Sequence, residues 1–324
     1  MKNIRRGIIG CGEVTEVKSG PGFQKANGSE LVAVMRRNGD RAKEYAHRHN
    51  VPKWYTSAEA LIYDTAVDAV YIATPPSTHK AYTLAAAKAG KPVLVEKPMG
   101  MNYAECQEMI SACRLSDVPL FTAYYRRALP RFLKIKSLLD SSAIGTVQNV
   151  SLRYCRPPLE NDRARKKHWR TDPAIAGAGY FFDLACHTID LINYFIAPIQ
   201  SVNGFTSNQL HLYSTDDNFT ASFHCENGVH GIGIWNFSSA LEIDETEIIG
   251  SNGRILFATF SNDPIRVIKN NEIEEIIIDH PEHVHQPLIQ SVVDELRKTG
   301  TCCSTGLTGA HTNWVMDKIL GRII

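Results

Sequence analysis

Four groups of residues have types and spacings that chemistry could use. Val93-Leu94-Val95-Glu96-Lys97-Pro98 is an apolar, partly β-branched run that stops at a carboxylate, an ammonium and a ring-locked residue. At the carboxyl end of a buried strand, two opposite charges make either a structural ion pair or the floor of an active site. Asp183, His187 and Asp190 stand at i, i+4 and i+7, so on a helix all three project from one face. A lone histidine there reads as a satisfied core residue, but two carboxylates around it on an apolar helix point to proton transfer, because buried charge without a task or partner is expensive. Gly10-Cys11-Gly12 follows a short apolar run and suits a tight turn whose backbone can approach a pyrophosphate at a helix amino end. Arg36-Arg37 ends the next apolar run, where an NAD enzyme usually places an acid for the adenosine ribose. Two guanidinium groups cannot accept from a ribose diol but suit a 2'-phosphate through forked contacts, which makes NADP the expected cofactor and NAD the alternative. A solvated loop is the competing reading of that pair.

The elements that must position these groups follow from the pattern between them. Apolar runs at 6–9, 31–35, 67–73, 93–95 and 118–123 read as buried strands, and the segments between them carry helical patterns at 40–49, 57–62, 82–89 and 105–115. Such alternation implies right-handed crossovers and a parallel sheet covered on both faces. Lys18-Ser19-Gly20-Pro21-Gly22 opposes the interior of the first crossover helix, so a broken helix with a loop near the cofactor is expected. Thr74-Pro75-Pro76 forces an extended turn at a strand's carboxyl end, where ligands sit in open α/β sheets.

From Val147 the sequence changes to alternating strands, with Asn227-Gly228 as a hairpin signal. One long helix at about 180–195 interrupts them, after an amphipathic helix at 130–141, and two helices at 286–298 and 307–320 close the chain. The fold class expected is α/β plus α+β. Residues 1–123 form a Rossmann-type doubly wound sheet. Residues 124–324 form a large, mostly antiparallel open sheet with helices on one face, whose bare face suits a homodimer or homotetramer.

Composition narrows the classes. A length of 324 residues favours two domains, and Lys plus Arg 35 against Asp plus Glu 34 leaves a net charge of +1, too little to draw in nucleic acid. The basic stretch Arg163-Ala164-Arg165-Lys166-Lys167-His168-Trp169-Arg170 therefore reads as a loop near the cofactor. No apolar run suggests a membrane span, no leader pattern opens the chain, and the scattered cysteines suit reduced thiols, so a cytoplasmic protein is expected. His280, His283 and His285 imitate a metal cluster, but neither spacing nor ligand softness matches a closed site, and no metal is expected.

Gly10-Cys11-Gly12, Ala73-Thr74-Pro75-Pro76-Ser77-Thr78-His79 and Glu96-Lys97-Pro98, in that order, resemble the Gfo/Idh/MocA family of NAD(P)-dependent oxidoreductases. Downstream, His168-Trp169-Arg170-Thr171-Asp172-Pro173 and the stretch from Gly177 to Asp190 resemble the family's Trp-Arg segment and its Gly-rich Asp-x-x-x-His helix. The resemblance implies a dehydrogenase or reductase acting on a hydroxyl of a sugar, cyclitol or related small molecule. It also implies cofactor roles for Gly10, Cys11, Gly12, Glu13, Val14, Arg36, Arg37, Thr74, Pro75, His79, Glu96, Lys97, Trp169 and Arg170. Tyr125 and Arg126 would border the substrate pocket. His187 would be the base for the hydroxyl proton in oxidation, Lys97 would hold the same oxygen, and Asp183 would hold a substrate hydroxyl or orient the imidazole. The sequence departs from the family pattern at Thr15, where a small residue is usual, and at Ala178 and Ala185, where glycines are common. Two rivals share these features: redox-assisted glycoside cleavage with a retained nicotinamide, and a non-catalytic NADP-binding regulator.

Overall fold

The computed structural model describes residues 3–323. The chain divides into two compact units, one running to Leu129 and including Pro281–Ala310, the other made of Pro130–His280 with the residues from His311 onward. The first unit holds six strands: β1 Ile4–Ile9, β2 Ser29–Met35, β3 Lys53–Tyr55, β4 Ala69–Ile72, β5 Val93–Val95 and β6 Leu120–Thr122. They pair in parallel in the order β3-β2-β1-β4-β5-β6. Every residue of β4 and β5 is buried, as a parallel sheet covered on both faces requires. The intervening helices start where the sequence supplies caps: Asn38, Ser57 and Asn102 side chains accept from Arg41, Ala60 and Glu105 amides.

Two expectations for this unit are corrected. The boundary is not at 123/124, and the helix Gln286–Leu296 belongs to the first unit, not the second. The reason lies at β6, an edge strand that would leave bare backbone groups. Ser304 donates from Oγ to the Thr122 carbonyl at 2.6 Å, and Thr305 bridges Phe121 in antiparallel fashion, so the returning segment covers that edge. Nor does Gly20-Pro21-Gly22 open a loop. Thr15–Ser19 winds as a π-helix and passes directly into the α-helix Gly20–Lys25, with Pro21 in the first turn where its missing N–H is tolerated. Tyr45 donates to the Thr15 carbonyl at 2.8 Å, and a Cβ at Gly20 would lie 2.3 Å from that carbonyl oxygen and 2.4 Å from the tyrosine hydroxyl, so only glycine fits.

The second unit holds an eight-stranded sheet: β7 Val147–Cys155, β8 Ile199–Ser207, β9 Asn218–Cys225, β10 His230–Asn236, β11 Ile243–Gly250, β12 Gly253–Phe257, β13 Ile265–Lys269 and β14 Glu272–Ile276. Its order is β14-β13-β12-β11-β7-β10-β9-β8, antiparallel throughout except for the β7/β10 pair. Asn227-Gly228 does close a hairpin: Gly228, at φ +88°, donates to the Cys225 carbonyl, and Cys225 donates to that of Val229.

Alternation along the strands buries one face. The helix Cys186–Phe195 lies on it, with Trp235 donating from Nε1 to Thr188 Oγ1 at 2.9 Å and Phe195 edge-on to Phe257. More than one helix covers this face. Phe132 of the helix Pro130–Asp140 meets both Phe195 and Phe257, and Ile319 of the final helix packs so closely on Gly204 that a Cβ there would be 2.8 Å from its side chain. The apolar stretch Pro173–Phe195 has the length and composition of a membrane span, and 83% of its most apolar window is buried inside the protein. The opposite face carries the ion pairs Arg153–Glu245 and Arg254–Glu247 together with exposed Ile232 and Phe205.

Candidate active site

The sheet order of the first unit reverses between β1 and β4, and in open α/β sheets ligands bind beyond the strand ends at that switch point. Gly10, at φ +91°, ends β1 so close to β4 that a Cβ would be 2.7 Å from Thr74 Cγ2. At Gly12 a Cβ would meet only the Gly10 carbonyl at 3.8 Å, so bare backbone faces open space, as pyrophosphate approach requires. The helix begins immediately after, with the Thr15 amide of its first turn donating to the Gly12 carbonyl at 3.0 Å. These residues fit a dinucleotide. Cys11 is fully buried, and its amide donates to the Met35 carbonyl at 3.1 Å. Arg36 donates from its guanidinium to the Cys11 carbonyl at 3.2 Å, which holds that cation over the glycine turn, while Arg37 is exposed. Thr15, where a small residue is usual, is buried and its Oγ1 donates to the Gly12 carbonyl at 2.8 Å.

Beyond β4, Thr78 donates to Thr74 Oγ1 at 2.7 Å and Pro76–Thr78 makes a 3-10 turn. His79 is fully buried, with its Nε2 2.7 Å from the Thr74 carbonyl and its Nδ1 3.1 Å from that of Pro98. The structure therefore corrects its assignment: His79 ties two loops together and has no surface to offer a cofactor. Burial pulls its pKa below the ordinary value, partly opposed by those carbonyls.

Glu96 follows β5 and is 7% exposed. Its Oε1 accepts from Tyr71 of β4 at 2.5 Å and its Oε2 accepts from the Lys97 amide at 3.2 Å. Burial raises its pKa, opposed by Tyr71 and Lys97. The Lys97-Pro98 bond is cis. Tyr125 and Arg126 are nearly buried and bonded to each other at 2.7 Å, with the guanidinium over the ring at 4.8 Å. Against Tyr125 stacks His285, at 4.3 Å between ring centroids. Neither Tyr71 nor His285 was singled out by sequence for this place. The histidine had a signal, its proximity to His280 and His283, but read as a metal decoy; in fact His283 turns to the Val17 carbonyl and His285 to Glu96.

In the second unit, Asp183 lies in a π-helix, Phe181–Ala185, that passes into the helix bearing His187. Its Oδ2 accepts from Arg170 Nε at 3.1 Å, and that guanidinium rests over Trp169 at 4.5 Å. The structure thus joins three residues read from two separate motifs. His187 is 4% exposed, edge-on to Phe260 at 5.9 Å. Asp190 is buried with Thr312 Oγ1 3.4 Å away, a core contact. Beside Trp169 a cleft of about 540 Å³ is lined by Arg165, Lys166, Lys167, His168, Tyr213 and others.

Comparison with known proteins agrees with this geometry. Residues 4–124 match an oxidoreductase family with an NAD-binding Rossmann fold, and residues 132–256 match the C-terminal domain of the same GFO/IDH/MocA family. The chain is 44% identical to Oxidoreductase P35 of Formosa agariphila over 98% of both chains. It is 31% identical to trans-1,2-dihydrobenzene-1,2-diol dehydrogenase of Mus musculus, over 74% of this chain and 70% of that one. Levoglucosan dehydrogenase, solved with NADH and levoglucosan, superposes with a TM-score of 0.88 at 21% identity, covering 99% of this chain and 97% of that one. The chain belongs to the Gfo/Idh/MocA family of NAD(P)-dependent oxidoreductases.

Proposed function

We propose that this protein transfers a hydride between a nicotinamide cofactor, NADP by preference, and a hydroxyl-bearing carbon of a sugar, cyclitol or related polyol. The observation that carries the reading is the first unit's switch point between β1 and β4, where the glycine turn after β1 leaves open space before Gly12 and Glu96-Lys97 follows β5, the strand paired with β4. The nicotinamide supplies the hydride acceptor in the oxidation direction. His187 takes the hydroxyl proton, and Lys97 holds the same oxygen and stabilises the negative charge that grows on it. Asp183, held by Arg170, binds a neighbouring substrate hydroxyl. Arg36 and Arg37 bind the 2'-phosphate, a reading supported by the Arg36 contact to the glycine turn. The small-molecule substrate is matched by dehydrogenase relatives whose names specify diols and sugars.

The exposed Ile232 and Phe205 support self-association through the open sheet face as a homodimer or homotetramer. Ile232→Glu would then shift the protein to monomer in size-exclusion chromatography. The main test combines binding and turnover. Wild type should bind NADPH tighter than NADH, and Arg36→Ala should weaken NADPH by roughly tenfold while leaving NADH unchanged. A polyol panel should give stoichiometric cofactor reduction, abolished in His187→Ala with cofactor still bound. Tighter NADH binding would overturn the cofactor choice, and sugar release from glycosides without net cofactor turnover would overturn the dehydrogenase.

A further inference from the structure

We propose that His285, brought back to the first unit from near the end of the chain, is a positioning residue for Lys97 that acts through Glu96. This deepens the function above and rests on its placement of Lys97 at the reacting oxygen. The geometry is a buried polar row. Tyr71 donates to Glu96 Oε1 at 2.5 Å, the same oxygen lies 3.6 Å from His285 Nδ1, and Glu96 Oε2 takes the amide of Lys97. The separation to Nδ1 is longer than a hydrogen bond, an electrostatic contact that a sub-ångström shift would close.

His285 has little freedom to do anything else. It is 3% exposed, immediately precedes the helix Gln286–Leu296, its carbonyl accepting from the Ile289 amide, and lies flat on Tyr125, whose hydroxyl is bound by Arg126. Besides Glu96, the charged groups that act on it are three cations, Lys18 from the π-helix, Lys97 from the end of β5 and Arg126 after β6. Together with burial they press its pKa down to about 3. The neutral ring is therefore favoured, and a neutral imidazole has one ring N–H that can face a carboxylate.

That neutrality explains the choice of residue. A cation at 285 would compete with Lys97 for Glu96, and an apolar side chain would leave one carboxylate oxygen served by Tyr71 alone. In the second case the buried Glu96 protonates more readily, because desolvation already favours its neutral form. A neutral Glu96 adds no negative charge beside Lys97 while the Lys18 and Arg126 cations are unchanged, which disfavours the charged form of the lysine.

The experiment measures kcat and kcat/KM against pH for His285→Phe, His285→Gln, Tyr71→Phe and Lys97→Met, with NADPH binding by fluorescence as a fold check. His285→Phe keeps the stack on Tyr125 and should lower kcat about tenfold with cofactor affinity retained, moving the basic limb of the profile down by about one pH unit. His285→Gln, which keeps a neutral donor, should recover most of both. Tyr71→Phe, on the other side of the same oxygen, should shift the limb in the same direction and supplies the test should His285→Phe fail to bind NADPH. A wild-type pH profile in folded His285→Phe, or a His285→Gln as impaired as the phenylalanine variant, overturns the proposal. An active Lys97→Met overturns instead the reading on which it rests.

Discussion

Each unit contains a π-helix at the point where a turn hands over to a functional helix, and the two are held by opposite means. Thr15–Ser19 in the first unit is fastened by polar contacts: Glu16 accepts from Arg48 at 2.8 and 2.9 Å and contacts His49 at 2.8 Å, while Tyr45 bonds to the Thr15 carbonyl. Phe181–Ala185 in the second is fastened by aromatic packing. Phe181 stacks on Phe219 at 4.2 Å and meets Trp235 edge-on at 5.5 Å, and Arg322 lies over Phe182 at 5.2 Å. A π-turn widens the backbone and loosens its own hydrogen bonding, so something outside the helix must hold it. Near a cofactor turn that something is a set of directional bonds at the rim; beneath Asp183 it is a wall of rings.

The contrast can be broken at four places. Phe181→Ala should have the largest effect, a loss of about 3–5 kcal/mol, because it removes two ring contacts and leaves a cavity. The urea midpoint should fall steeply, and a loss under about 1 kcal/mol would show that packing does not hold this turn. Gly20→Ala follows at about 1–3 kcal/mol, since its Cβ must push aside both the Thr15 carbonyl and the Tyr45 hydroxyl. The double variant Gly20→Ala with Tyr45→Phe should show non-additive loss. Asp183→Asn should raise the substrate KM by roughly tenfold while costing under about 1 kcal/mol of stability, because its pair with Arg170 is partly solvated. Unaltered KM would remove Asp183 from the substrate.

Glu16→Gln should give the smallest change, visible only against pH. The Glu16 carboxyl is held down from 4.5 to about 2, first by Arg48 and then by His49. A depressed carboxyl stabilises the fold above its unfolded pKa, so the contribution is complete above about pH 4.5 and fades as pH falls toward 2. Thermal unfolding followed between those limits should flatten in Glu16→Gln relative to wild type, and parallel curves would show the contact to be idle.

The sequence made the sheets legible and the π-helices not. Period-two alternation and continuous apolar runs track backbone hydrogen bonding directly, which is why the run of alternating strands from Val147 and the Asn227-Gly228 hairpin were legible. Gly20-Pro21-Gly22 announced a disturbance, but glycine and proline say only that an α-helix is opposed, not that a wider one replaces it. Phe181-Phe182-Asp183-Leu184-Ala185 carries no such mark; its winding comes from Phe219 and Trp235, far along the chain. His79 was misread because a motif places a residue near a ligand without showing which way its ring turns. His285 was missed for a similar reason. Local spacing tied it to His283, whereas its neighbours Glu96 and Tyr125 lie about 160 residues or more away in sequence, beyond what periodicity reports.

The return of residues 281–310 to the first unit also orders events during synthesis. A chain emerging from the ribosome can close β1 to β5 early, but the outer edge of β6 and the helix against Gly20–Lys25 wait for a segment made after the whole eight-stranded sheet. The nucleotide-binding unit is therefore among the last parts to finish, and a fragment ending at Leu129 would lack both its edge cover and His285. Swapping this whole unit between relatives must carry two separate stretches of gene.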